Sequence, residues 1–259
     1  MTSFIWWRSP EEAYENPYEY EAQEQFAREA DKIIKSIFEI LMQKNRSFLR
    51  DDRSVDKAVW MLFVDGVETL KDCLGLINSK QHRIACRLFR DVVETMDLAA
   101  YFSSSDKNKQ RYLDRWYDNE VVPNRVFRQY LSSTGADELG NAYKSLYSIL
   151  SRLNHRTYRS LAYSYIRNKD LYLIYEDENR DSEILKLPHP TAMCYALLAE
   201  ILTRFTDRLV ECDIITSEQC VHIWNEALEK ETVPRRYMSM RDLQEKRMYK
   251  KTQEDDDIT

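Results

Sequence analysis

The sequence contains very little glycine and proline, and this scarcity constrains both its fold and its chemistry. Only 4 glycines and 6 prolines occur in 259 residues, whereas 32% of the residues are charged. Because glycine and proline interrupt helices and shape loops, the composition predicts an all-α protein with few long loops. Glycine-rich phosphate-binding motifs are absent, and so are the GxSxG and HExxH motifs of hydrolases. The sequence therefore predicts no cofactor.

Long hydrophobic runs, a leader-like N-terminus and paired cysteines are also missing. No stretch approaches the roughly 18 apolar residues of a membrane-spanning helix, and no cationic segment followed by an apolar one opens the chain. The 5 cysteines are odd in number and show no CxxC spacing, which is typical of thiols in a reducing compartment. A formal net charge of −6 gives no overall basic field that would attract nucleic acid. We expect a soluble cytoplasmic protein with no membrane partner.

The stretch from Gln81 to Phe102 is the most informative part of the sequence. On an α-helix its charged and hydroxyl residues form one stripe, because they recur at alternating spacings of four and three. The stripe consists of Arg83, Arg87, Arg90, Glu94, Asp97 and Tyr101. Nearly all other positions are apolar, so we expect neighbouring elements on most sides of this helix. The stripe would then lie partly inside the protein, and Arg83, Arg87 and Arg90 become candidate anion-binding residues because buried cations require an anionic partner.

The preceding predicted helix, residues 55–77, carries an acidic stripe that supplies one such partner. Asp65, Glu68 and Asp72 follow the same spacing of three and four. The short turn at 78–81 predicts that the two helices form an antiparallel pair. The sequence favours a ladder of salt bridges between the two stripes, and a bound anionic ligand is the alternative.

The remaining periodicity predicts a single domain of about seven helices over residues 21–231. Ser54 is expected to cap the helix that follows it, and Thr216 with Gln219 is expected to form a capping box. A small β-hairpin or extended insertion is predicted near 171–187, where LYLIY and EILKL are short β-prone runs.

The two ends of the chain differ from this helical domain. Residues 1–20 include the adjacent pair Trp6 and Trp7, so we expect an arm that docks on the body or on a second subunit. Residues 232–259 contain many charges and few apolar residues, which indicates a charged tail.

A later predicted helix, residues 137–166, holds the candidate catalytic residues. His155 lies in a polar line of this helix that also contains Arg152. If the protein is an enzyme, the arginine stripe would hold a phosphate, His155 would act as general acid or base, and Glu94 would orient it. A metal site is not predicted, because the Glu-x-x-His spacing of dinuclear helical bundles does not occur.

An Arg/Glu-rich central helix followed by a Ser/Asn/His helix resembles bacterial all-helical families known only as domains of unknown function. More loosely, it is similar to HEPN domains, helical modules that include metal-independent ribonucleases of toxin and antiphage systems. The resemblance covers about residues 55–166 and implies that Arg152 and His155 form the catalytic pair. HEPN nucleases separate their Arg and His by four to six residues, whereas Arg152-Leu-Asn-His155 has two between them.

Two functional interpretations follow from these patterns. In the first, the protein is an interaction or regulatory module with a partly buried Arg/Glu polar site, and it binds a protein partner or associates with itself. In the second, it is a HEPN-like ribonuclease or another phosphate-handling enzyme acting on RNA or a nucleotide. Because no catalytic motif is complete, the sequence favours the first and leaves enzymatic activity open.

Overall fold

The helices of the protein account for most of its described structure. The computed structural model describes residues 20–44, 46–79, 81–134, 137–155, 161, 165–167, 173–175 and 190–228. Eight helices occur in this part: α1 Tyr20–Gln43, α2 Val55–Asn78, α3 His82–Ser103, α4 Lys109–Tyr117, α5 Asn124–Thr134, α6 Asp137–Asn154, α7 Pro190–Glu211 and α8 Ser217–Ala227. The expected all-α class is confirmed, with eight helices where about seven were predicted.

Two short strands lie between α6 and α7, and they differ from the predicted hairpin. Strand β1, Tyr165–Arg167, pairs antiparallel with strand β2, Leu173–Tyr175. The predicted pairing of LYLIY with EILKL is therefore not supported, since β2 pairs with an upstream segment and residues 183–187 lie outside the described part. The helix predicted over 137–166 ends at Asn154 instead, and its last two predicted residues, Tyr165 and Ile166, belong to β1. Both residue types favour strands.

The predicted caps are present and fix the starts of two helices. Ser54 precedes α2, and its hydroxyl accepts a hydrogen bond from the backbone N–H of Lys57 at 3.2 Å. Thr216 and Gln219 form a reciprocal capping box at the start of α8. Each cap satisfies backbone donors that have no partner within the helix.

Helices α2 and α3 form the expected antiparallel pair. The Cys73 thiol lies against the carbonyl of Ala85, whereas Gly66, two turns earlier in α2, lies close to Thr95, further along α3. The short connection between the helices allows them to pack along most of their length.

Helix α3 lies at the centre of the fold, as predicted. It packs against α2, α4, α5, α6 and α7, and its side chains at Phe89 and Phe102 are completely buried. The α7 contact includes the Cys86 and Cys194 thiols, whose sulfur atoms are 3.7 Å apart. This helix therefore contacts five neighbouring helices, and its polar residues must be accommodated among them.

The predicted terminal segments fall almost wholly outside the described residues. This applies to the arm at 1–20, of which only Tyr20 is described as the first residue of α1, and to the tail at 232–259. Among the helices that the structure describes, none has the length and apolar character needed to cross a membrane.

Candidate functional site

The polar stripe of α3 runs from solvent into the core. Arg83 is exposed and Arg87 is partly exposed, near the start of the helix. Glu94 is half-buried, and Asp97 and Tyr101 are buried. The sequence correctly predicts that the stripe enters the protein, but only its second half does so.

The predicted salt-bridge ladder between α2 and α3 does not form. Asp65, Glu68 and Asp72 are exposed, and no ion pair in the described part of the chain joins them to Arg83 or Arg87. The physical reason is that the acids occupy the solvent side of α2, while its apolar side faces α3 and α7. Exposed charges keep their hydration, so they gain little from pairing.

The carboxylate of Glu94 joins helices α3 and α6 instead. Its Oε1 accepts hydrogen bonds from Arg90 Nε at 2.6 Å and from the Tyr147 hydroxyl at 2.9 Å. The guanidinium carbon of Arg128, on α5, lies 3.3 Å from the centroid of the Tyr147 ring, and that of Arg90 lies 5.2 Å from it. This Glu94 network holds the Glu94 carboxylate through bonds from α3 and α6, and Arg128 extends it to α5 through the Tyr147 ring.

Asp97 is a buried carboxyl group with an unusual environment. Its side chain is completely buried, and no hydrogen-bond donor among the described residues reaches either carboxylate oxygen. Burial raises the pKa of Asp97 to about 8, although the positive charges of Arg208, Arg204 and Arg128 oppose that rise. The carboxyl group is therefore mostly protonated at neutral pH.

An open cleft of about 670 Å³ lies beside Glu94, between α2, α3, α4 and the loop that leads into α5. Its walls combine apolar and aromatic side chains with polar side chains along α3 and the loop. The lining residues are Lys57, Met61, Leu62, Asp91, Glu94, Thr95, Leu98, Trp116, Tyr117, Asn119, Glu120, Val121, Val122, Asn124 and Phe127.

The α4–α5 loop shapes one edge of this cleft. Helix α4 ends in a turn in which Asn119 has a φ of 60°, a left-handed conformation that asparagine adopts more readily than most residues. The backbone N–H of Glu120 donates to the carbonyl of Arg115 at 2.9 Å and closes this turn. Beyond it Val122 is buried, whereas the side chain of Val121 is 83% exposed at the edge of the cleft.

The charges around the cleft are largely balanced. Asp91, Glu94 and Glu120 line it together with one cation, Lys57. Arg90 pairs with Glu94 and Arg115 pairs with Glu120, each at 2.6 Å. The Lys57 ammonium group donates to the carbonyl oxygens of Leu49, Arg50 and Asp52 at 3.0, 2.7 and 2.9 Å, so its hydrogen bonds serve the loop before α2.

The surroundings of Asp91 disfavour its ionised form. Burial raises the pKa of Asp91, the negative charges of Glu94 and Asp65 add to the rise, and the positive charge of Arg90 opposes it.

The candidate catalytic residues of the sequence analysis lie at the C-terminal end of α6. Arg152, in its last turn, and His155, one residue beyond its end, are exposed. Tyr147, which contacts Glu94, lies seven positions before Asn154, about 10 Å along the axis. Glu94 bonds Arg90 and Tyr147, and its predicted role in orienting His155 stays a prediction. Within the described residues no cluster of three or more His, Cys, Asp or Glu side chains could hold a metal ion.

Several residues of this region were not anticipated from the sequence. Asp91 lies beside the polar stripe rather than in it, and Tyr147 and Arg128 come from helices distant in the chain. The pairing of a half-buried glutamate with a tyrosine has no local signal. Only the aromatic end of α4, followed by Asn119 and two valines, indicates a turn with an exposed apolar tip.

Comparison with models of protein families, with curated proteins and with solved structures gave no match. The resemblance to HEPN domains therefore stays an expectation from the sequence.

Proposed function

We propose that this protein is an interaction module that binds a helical segment of a partner protein in the cleft between α2, α3 and α4. The observation that supports the proposal is the cleft itself, in which apolar and aromatic side chains lie beside polar groups and an exposed apolar rim. Such grooves recognise the apolar face of an amphipathic helix, whose side chains project at intervals of three and four residues.

The exposed rim of the cleft favours a polypeptide over a small molecule. Met61 and Val121 both line the cleft, yet their side chains are 48% and 83% exposed. A small molecule inside the cleft would leave this rim in water, whereas a helix lying across it would cover both side chains. Covering such surface contributes roughly 25 cal/mol for each Å² of apolar area removed from water.

Selection of binding sequences from a displayed library of helical segments would test the proposal. Selected segments should bind the parent protein and lose about tenfold or more in affinity against the double variant Met61→Ser and Val121→Ser, because about 1 kcal/mol or more of apolar contact is removed. The matched control, Ile84→Ser with Val221→Ser, removes two exposed apolar side chains that do not line the cleft. Equal loss with both double variants would contradict binding in the cleft.

The ribonuclease interpretation predicts a different result and can be tested separately. It requires metal-independent cleavage of RNA that falls by about 10²–10⁴-fold in His155→Ala while folding is retained. The interaction proposal predicts no cleavage by either protein, measured on labelled RNA in the presence of a chelator. Cleavage that disappears in His155→Ala at an unchanged melting temperature would contradict it.

A further inference from the structure

We infer that Cys86 and Cys194 form a redox-sensitive pair, which a peroxide converts into a disulfide bond between α3 and α7. The inference does not depend on the proposed function, because it concerns the helical core and not the cleft. It is carried by the contact of two buried thiols from different helices, 108 positions apart in the chain.

The two sulfur atoms of this pair are in contact. The Sγ atoms of Cys86 and Cys194 are 3.7 Å apart, and both side chains are buried. A disulfide bond is about 2.05 Å long, so its formation brings the two atoms closer by about 1.7 Å. Rotation of the side chains together with a small shift of α7 against α3 can supply this approach. A sulfur oxidised at one position therefore meets the other thiol at a high effective concentration.

A third thiol lies near the pair but is held in another contact. Cys73, on α2, donates a weak hydrogen bond to the backbone carbonyl of Ala85, which lies 3.9 Å from its Sγ. Burial raises the pKa of the Cys73 thiol, and nearby negative charges, that of a Cys86 thiolate first, add to the rise. Because the thiolate is the reactive form of cysteine, Cys73 should remain a thiol and provides an internal control.

The pair lies near the start of both helices, where a small oxidant can reach it. Cys86 and Cys194 each occupy the second turn of a helix, α3 and α7 respectively. Ile84, two positions before Cys86, is 42% exposed. The terminal turns of helices open locally more easily than their centres. Hydrogen peroxide, which is only slightly larger than water, is therefore the class of oxidant that fits the site.

The reaction consumes one peroxide for each pair. One thiolate attacks a peroxide oxygen, the O–O bond breaks, and a sulfenic acid forms while the leaving hydroxide takes up the proton of the thiol. The second thiol loses its proton and attacks the sulfenic sulfur, so that the S–S bond forms, the S–O bond breaks and water leaves. The two thiols lose two electrons in total, and the peroxide is reduced to two molecules of water. A dithiol reductant reverses the bond by exchange.

The bond would join two helices that are distant in the sequence. Helices α4, α5 and α6 all lie between Cys86 and Cys194 in the chain. A cross-link that closes so long a loop restricts the unfolded chain more than the folded one. We therefore expect the oxidised protein to be the more stable form.

Peptide mapping of the full chain tests the inference. The reduced protein is freed of reductant, treated with hydrogen peroxide under native conditions, alkylated, and digested with trypsin without reduction. We expect peptide 84–87 to be linked to peptide 187–204, with a mass about 2 Da below the sum of the two thiol peptides. Dithiothreitol should remove the link.

Two matched variants locate the bond and its effect. Cys73→Ala should keep the link, whereas Cys194→Ala should lose it. The parent protein should melt about 5 °C or more higher after oxidation, a shift that dithiothreitol reverses and that Cys194→Ala does not show. Because the mapping is done on the parent protein, it does not depend on the folding of either variant.

Four results would overturn the inference. The first is a predominant link of Cys86 to Cys73 or to the partly exposed Cys212 or Cys220. The second is prolonged exposure to peroxide that leaves Cys86 and Cys194 unlinked, whether unreacted or oxidised to sulfinic acid. The third is a link that forms only after urea has unfolded the protein. The fourth is a linked protein that melts no higher than the reduced one.

Discussion

The carboxyl group of Asp97 makes a pH-dependent contribution to stability. In an unfolded chain its pKa is about 3.9, whereas burial raises it to about 8 in the folded protein. Between these values the folded state holds a proton that the unfolded state has released. The contribution of Asp97 to the free energy of unfolding is therefore largest below about pH 4 and is lost as the pH rises through about 8.

We predict that Asp97→Asn stabilises the protein at pH 8 but not at pH 4. The amide is close to the protonated carboxyl group in size and cannot ionise, so the difference in unfolding free energy should grow with pH to roughly 2–5 kcal/mol. Urea unfolding of both proteins across this pH range measures it. A difference that stays constant with pH would show that Asp97 ionises normally in the folded protein.

Arg87 and Arg90, which are neighbours in the stripe, differ in their hydrogen-bond partners. Because Arg87 is partly exposed and is not paired with the acids of α2, we predict that Arg87→Met changes the free energy of unfolding by less than about 1 kcal/mol. Arg90→Met removes a hydrogen bond to half-buried Glu94 and should cost about 1–3 kcal/mol. Thermal unfolding compares the two variants. A loss of several kcal/mol from Arg87→Met would indicate that Arg87 pairs with the acids of α2, as the sequence predicts.

At the scale of secondary structure elements, the contact between α2 and α7 depends on Gly66. A Cβ atom at this position would lie 2.7 Å from Cε2 of Phe205, a buried ring that packs edge-to-face on Phe63. Gly75, in the same helix, has nothing within 4 Å of an added Cβ. Alanine at position 66 therefore tests the packing of α2 against α7, whereas alanine at position 75 tests helix propensity alone.

We predict opposite effects of alanine at these two positions. Gly75→Ala should stabilise the protein by roughly 0.5–1 kcal/mol, because alanine favours helix and meets no neighbour. Gly66→Ala should destabilise it by about 1–3 kcal/mol, because the Phe205 ring must move in a packed core. Chemical denaturation of the two variants provides the comparison. Stabilisation by both substitutions would mean that α2 and α7 are less closely packed than the structure shows.

The sequence predicts the helices better than the contacts between them. The period of α2 and α3 and their short connection identify an antiparallel pair, and Ser54 and Thr216 mark helix starts, because these signals are local. The sequence could not show whether the acidic stripe of α2 pairs with the arginine stripe of α3. The rotation of α2 about its axis decides whether Asp65 and Asp72 face α3 or water. That rotation is set by apolar contacts with α7, more than a hundred residues away in the chain.

The candidate site also depends on contacts between helices that the sequence does not predict. Arg90 and Glu94 could be identified as a partly buried pair from the spacing within one helix. The cleft could not, because it forms where α2, α3 and the α4–α5 loop meet, and Trp116 and Val121 contribute to it from a region with weak periodicity. Tyr147, the residue that fixes Glu94, lies 53 positions away.

At the scale of the whole molecule, the cleft is the feature that supports a polypeptide partner. It forms where α2, α3, α4 and the α4–α5 loop meet, and the exposed side chains of Met61 and Val121 lie at its rim. A helical segment lying across the cleft would cover this rim.

Site-specific photo-crosslinking tests directly whether the cleft binds a polypeptide. A photoreactive phenylalanine analogue replaces Val121 at the rim of the cleft or, as a matched control, Val221 on α8; both valines are exposed. Each protein is irradiated with a labelled amphipathic helical peptide, and the cross-linked product is measured by gel and mass spectrometry. We expect a cross-link from position 121 that excess unlabelled peptide suppresses, and little product from position 221. Equal yields from the two positions, or a product from position 221 alone, would contradict it.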